Sequence, residues 1–62
     1  MSVFSERLRA LRTEKGILQA EIATSVGLKP QSYSAYENGR EPNYDILIKL
    51  AEYFDCTTDY LL

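Results

Sequence analysis

Six polar side chains in the first two-thirds of this 62-residue chain, Gln19, Lys29, Gln31, Ser32, Asn38 and Arg40, with the methyl group of Ala35 among them, are suited to recognition by hydrogen bonding. A Gln carboxamide can bond bidentately to adenine N6 and N7, a Ser hydroxyl can meet a donor or an acceptor, and an Ala methyl can touch a thymine methyl. Lys29 reaches either a guanine edge or a phosphate. By residue type alone the same positions also suit a small, solvated helix surface, and both readings stand at this point. Bond-making chemistry is not in view. The chain has no His, and Cys56 is its one cysteine, so neither a metal-ligand set nor an internal disulfide is available. It has no Gly-rich phosphate loop, and Cys56 falls at an expected core position between two helices. Asp55 and Asp59 read most simply as a solvated acidic end. No catalytic residue, cofactor, metal or small-molecule ligand is expected, and the chain is not read as an enzyme.

Five helical segments can carry these residues, and no strand signal competes with them. The first runs from about Phe4 to Lys15. Phe4, Leu8 and Leu11 recur at i, i+4 and i+7 on one face, Ser2 or Ser5 can cap its start, and Gly16 ends it. The second runs from about Gln19 to Val26 with Ile22, Ala23 and Val26 inward. Leu18 stands at its N-cap position, where it cannot accept from the free N–H groups. The third runs from about Pro30 to Asn38. Pro30 suits the first helical position, and Asn38-Gly39 supplies the stop. The fourth runs from about Tyr44 to Phe54, capped by Asn43, with Asp45 favouring the positive end of the helix dipole. Its Leu47, Leu50, Ala51 and Phe54 give a strong amphipathic signal. The fifth is short, Thr58 to Leu62 after a Thr57 cap. Short connections leave little topological freedom, so the fold expected is an all-α, compact five-helix bundle formed by a single domain over residues 1–62.

A chain this small buries a limited core and lies near the lower end of independent folding. No run of about 18 apolar residues is present, so no membrane span is expected, and the N-terminus does not read as a signal peptide. A cytoplasmic protein is the expectation. The net charge of −2 runs against a nucleic-acid partner. Its distribution softens that: residues 1–40 hold six Lys/Arg and four Asp/Glu, whereas residues 41–62 hold one Lys and five Asp/Glu. A mildly basic N-terminal part can still bind phosphate locally, with weak non-specific affinity.

The sequence resembles the helix-turn-helix domain of the lambda-type phage repressors and Cro proteins, also called the xenobiotic-response-element family. The residues that carry the likeness are Leu8-Arg9-Ala10-Leu11-Arg12, Gly16-Ile17-Leu18-Gln19, Ile22-Ala23, Val26-Gly27, Tyr36-Glu37-Asn38-Gly39-Arg40 with Pro42, Leu50-Ala51 and Asp59-Tyr60-Leu61-Leu62. None is diagnostic alone; in order and at this spacing they span essentially the whole chain. The resemblance implies a transcriptional regulator, a repressor first of all. It would bind double-stranded operator DNA as a homodimer, with the third helix in the major groove and the second crossing the backbone. Two such helices would lie about 34–36 Å apart, so the operator would be an inverted repeat.

On that footing Gln19 faces a phosphate. Gln31, Ser32 and Ala35, which share a helix face by i+3 and i+4 spacing, meet base edges, and Gln31 is the first of them. Lys29 lies just before the helix. Asn38 and Arg40 flank Gly39 and clamp a phosphate, Asn38 serving as a helix cap as well. Pro30 shapes the helix start instead of reading bases. Tyr33 and Tyr36 belong to the core, although Tyr33 replaces a usual aliphatic residue and its hydroxyl must find water or a partner, with an exit near the DNA backbone as one route. Arg12 and Glu37 resemble a partly buried structural ion pair. The Tyr60-Leu61-Leu62 end either meets a second subunit or, at Leu61, joins the core; its abrupt apolar finish suggests the N-terminal part of a longer regulator. The rival reading is a helical protein-interaction or antitoxin module with little DNA binding of its own, for which the acidic balance of residues 41–62 speaks slightly.

Overall fold

In the computed structural model residues 3–62 are described, and they form α1 (Val3–Lys15), α2 (Gln19–Ser25), α3 (Pro30–Glu37), α4 (Tyr44–Phe54) and α5 (Thr58–Leu61). No strand occurs among the described residues. α1 packs on α3 and α5, α2 packs on α3, and α5 packs on α4. Each helix inserts its apolar edge into one shared core of Phe4, Leu8, Ile22, Ala23, Val26, Tyr33, Tyr36, Ile46, Leu47, Leu50, Ala51 and Leu61. Leu11, Phe54 and Cys56 are partly buried against that core.

The helix ends follow local chemistry at some points and tertiary chemistry at others. Asn43 Oδ1 accepts from Ile46 N at 2.9 Å and caps α4. Thr57 Oγ1 accepts from Tyr60 N at 3.1 Å and caps α5. Leu18 and Lys29, which precede α2 and α3, provide no side-chain cap. Ser5, expected as one of two possible caps, does not stand at the start of α1, which begins at Val3. Ser5 lies inside α1, fully buried, and its Oγ donates to Tyr36 O at 2.6 Å, a partner 31 residues away; its alternative, Ser2, lies outside the described residues.

α2 ends at Ser25, one residue short of Val26, because the backbone turns there. Gly27 N donates to Thr24 O, and Leu28 N reaches back to Ala23 O at 2.8 Å. Gly27 has φ +76°, and a Cβ there would meet nothing within 4 Å, so the turn needs glycine for its conformation and not for space. α3 likewise ends at Glu37, one residue before Asn38, where Asn38 N and Arg40 N both donate to Ala35 O. α5 stops at Leu61, which is fully buried, while Tyr60 and Leu62 on either side are exposed.

Candidate nucleic-acid interface

Successive residues of an α-helix turn by about 100°, and α3 divides cleanly on that period. Tyr33, Tyr36 and Glu37 form its buried edge. Tyr36 meets the Phe4 ring edge-on at 6.5 Å between centroids. The opposite edge carries Gln31, which is exposed, and Ala35, which is half-buried. Ser32 and Ser34, both half-buried, lie on the two flanks, Ser32 towards Tyr36 and Ser34 towards Glu37. The outer edge is therefore slim, with one long amide side chain and a methyl between two flanking hydroxyls.

Glu37 is fully buried, yet among the described residues no buried side-chain nitrogen or oxygen is left without a hydrogen-bond partner. Its Oε2 accepts from Arg12 Nε at 2.6 Å and from the Tyr33 hydroxyl at 2.6 Å. Its Oε1 accepts from Gln19 Nε2 at 3.0 Å and from Arg12 Nη2 at 3.3 Å. Arg9 Nε stands 3.6 Å from the same oxygen. Arg12 also donates to Ile17 O, which ties down the loop between α1 and α2. One carboxylate of α3 thus holds α1 through Arg12 and the start of α2 through Gln19. Burial alone would push the Glu37 carboxyl up; the donors from Arg12, Tyr33 and Gln19 outweigh it and hold it below the usual carboxylate range. The hydrogen bond to Glu37 raises Arg12 further, while burial, followed by the bond to Glu37, pushes the Tyr33 phenol up.

Two expectations change at this cluster. Tyr33 does not emerge towards solvent: its ring and hydroxyl are fully buried, because Glu37, one turn along the same helix, supplies the acceptor. Gln19 is half-buried with one amide N–H committed to Glu37, so its second N–H and its carbonyl oxygen are what it has left for an outside partner. Arg12 and Glu37 form the ion pair at the centre of the cluster.

The two ends of α3 carry the remaining candidates. Lys29 is exposed at the start, beside the uncapped first turn. At the far end Asn38 Nδ2 donates to Ser34 O at 2.8 Å, which fixes its amide beside the helix terminus. The Arg40 guanidinium lies over the Tyr36 ring at 5.3 Å. Arg9, which sequence reasoning passed over, reaches this end from α1: its Nη2 donates to Glu37 O at 3.2 Å and to Asn38 Oδ1 at 3.3 Å. Two further α1 cations face elsewhere, Arg7 over Tyr60 at 5.3 Å and Lys15 over Tyr53 at 5.2 Å. Ser34 was also missed, although its place one turn before Asn38 was available as a signal. The fold brings Gln31, Ala35 and Asn38 along one side of α3, with Arg40 beyond its end over Tyr36, Gln19 joined to the helix through Glu37, and Ser32 on the flank.

A solved structure, the P22 c2 repressor protein in complex with synthetic operator 9T, superposes with a TM-score of 0.92 at 35% identity, over 100% of this chain and 96% of that one. Among curated proteins of Bacillus subtilis (strain 168), the uncharacterized HTH-type transcriptional regulator YqaE is 41% identical over 97% of this chain and 53% of its own length. The SPbeta prophage-derived uncharacterized HTH-type transcriptional regulator YonR is also 41% identical, over 97% of this chain and 56% of its own length. The chain thus spans about half the length of these two relatives. With residues 8–61 matching the family described as Helix-turn-helix, and the α2–turn–α3 geometry in place around Gly27, the chain belongs to the helix-turn-helix family.

Proposed function

We propose that this chain is the sequence-specific DNA-binding domain of a transcriptional regulator, a repressor in the first instance, acting in the cytoplasm. The observation that carries the reading is the division of α3: Tyr33, Tyr36 and Glu37 anchor it in the core, and Gln31 and Ala35 remain on a slim outer edge. A helix anchored in this way can enter a major groove without giving up its packing. Gln31 would pair with an adenine edge, with Ser32, Ala35 and Lys29 as further contacts. Gln19, Asn38 and Arg40 would meet phosphates on either side. Two copies would bind an inverted repeat. The architecture shared with a repressor solved on its operator supports this, as does the membership of the family.

Selection of bound sequences from a random duplex pool tests the reading. The expected result is an inverted repeat with half-site centres one helical turn apart. A single asymmetric footprint would remove the dimer, and recovery of no duplex in dilute buffer would remove DNA binding. The rival, a protein-interaction module, has the acidic residues 41–62 and the exposed Tyr44 and Ile48 of α4 in its favour. Salt separates the two: a phosphate-anchored complex weakens steeply as salt rises, and an interaction module has no such complex to weaken.

A further inference from the structure

Glu37 presents the anionic oxygen of a carboxylate to Gln19 across 3.0 Å. An ionised carboxylate only accepts hydrogen bonds, whereas a carboxamide has a donating end and an accepting end. The Gln19 amide therefore has one stable orientation, with NH2 towards Glu37; the flipped amide would set oxygen against oxygen. Glu37 itself is held still by Arg12 and Tyr33, 2.6 Å each from its Oε2. The second N–H of Gln19, at the start of α2, then points in a direction fixed by a group on α3.

We infer that Glu37 is a positioning residue for DNA recognition, orienting the Gln19 amide so that its free N–H meets a backbone phosphate in register with the bases read by α3. The inference rests on the DNA-binding reading above. It assigns the charge of Glu37 a task beyond holding helices together. The isosteric amide in Glu37→Gln keeps the shape but can donate as well as accept, so it no longer dictates which end of Gln19 faces inward.

The test is a double-mutant cycle on the duplex that the wild-type chain selects, with Gln19→Ala, Glu37→Gln and both together, at a temperature where each is folded by circular dichroism. Gln19→Ala is expected to weaken binding about ten- to hundredfold, the size of one hydrogen bond to a charged group. Glu37→Gln is expected to weaken it to a similar degree, and the double variant to bind no worse than the weaker single one. Ethylation of one phosphate in each half-site should block the wild-type chain and leave both single variants indifferent. A Glu37 that only stabilises the fold gives losses that multiply and an unchanged ethylation pattern, and that result overturns the inference. Should Glu37→Gln not fold, the wild-type amide resonances decide. One Gln19 Nε2 proton should be protected from exchange in the free chain, and its geminal partner should shift and become protected on adding the duplex. Two freely exchanging protons in the complex overturn the inference. Failure of the wild-type chain to select any duplex removes the DNA-binding reading and this inference with it, whereas selection followed by multiplying losses removes the inference alone.

Discussion

The α2–α3 pair and the α4–α5 pair solve the problem of starting a helix in opposite ways. Asn43 and Thr57 cap α4 and α5 with side-chain oxygens, whereas Leu18 and Lys29 leave α2 and α3 uncapped. The inward faces differ as well. α4 buries Ile46, Leu47, Leu50 and Ala51, an entirely apolar set, while α3 buries two tyrosines and a carboxylate. Local rules are obeyed in the α4–α5 pair and relaxed in the α2–α3 pair, whose outer surface is the one proposed above to meet DNA. α2 and α3 are held instead by the polar cluster at Glu37, whose side-chain bonds tie α3 to Arg12 of α1 and Gln19 of α2, while the first turns of both helices go without a side-chain acceptor.

Removing that cluster should give the largest effect. Glu37→Ala leaves the partly buried Arg12 without its anion and the buried Tyr33 hydroxyl without its acceptor, and is expected to lose about 3–5 kcal/mol, a large share of what a domain of this size possesses; urea denaturation measures it. Acid should act in the same place. Because Glu37 is held below the usual carboxylate range, its contribution is complete above the unfolded-chain value of about 4.3 and is lost as the pH falls through the lower folded value. Melting curves at stepped pH should show wild type losing more than Glu37→Gln in that window, and equal losses would remove the ion pair from the account. Next in size, Gln31→Ala should forfeit about 1–3 kcal/mol of discrimination at one base pair while the melting temperature stays put, checked by competition between selected and substituted duplexes. Asn43→Ala should cost about 1 kcal/mol of stability, with the affinity of the folded fraction for DNA unaffected. The smallest effect runs the other way: Leu18→Ser supplies the absent cap on α2 and should stabilise by about 0.5 kcal/mol. If thermal melts show no gain from Leu18→Ser and no loss from Asn43→Ala, the contrast between the two pairs has no energetic content.

What could be read from the sequence follows the same divide. The five helices were legible because Phe4 and Leu8 in α1, and Leu47, Leu50 and Ala51 in α4, repeat on the helical period, and because Asn43 and Thr57 signal within three residues of their acceptor sites. Ser5 misled, since a serine near a helix start resembles a cap until its partner is known to be Tyr36 O, across the fold. The Tyr33 hydroxyl was seen to need a partner, and Glu37 at i+4 was the answer available locally. The bonds from Gln19 to Glu37 and from Arg9 to Asn38 join different helices, and no local pattern encodes them. The pairing of Arg12 with Glu37 came from the family resemblance, since the two lie 25 residues apart.

Five of the seven basic side chains lean on the protein itself: Arg7 on Tyr60, Lys15 on Tyr53, Arg40 on Tyr36, and Arg9 and Arg12 on Glu37. On the DNA-binding reading proposed above, this has a cellular consequence. Random duplex is gripped in proportion to the phosphates a protein can neutralise, and a chain whose Arg9 and Arg12 are spent on Glu37 and whose net charge is −2 has little to offer beyond the contacts made at its own site. Bulk chromosome would then sequester few molecules. Since occupancy depends on the preference for one site over a vast excess of competing ones, a handful of copies per cell would keep the target filled.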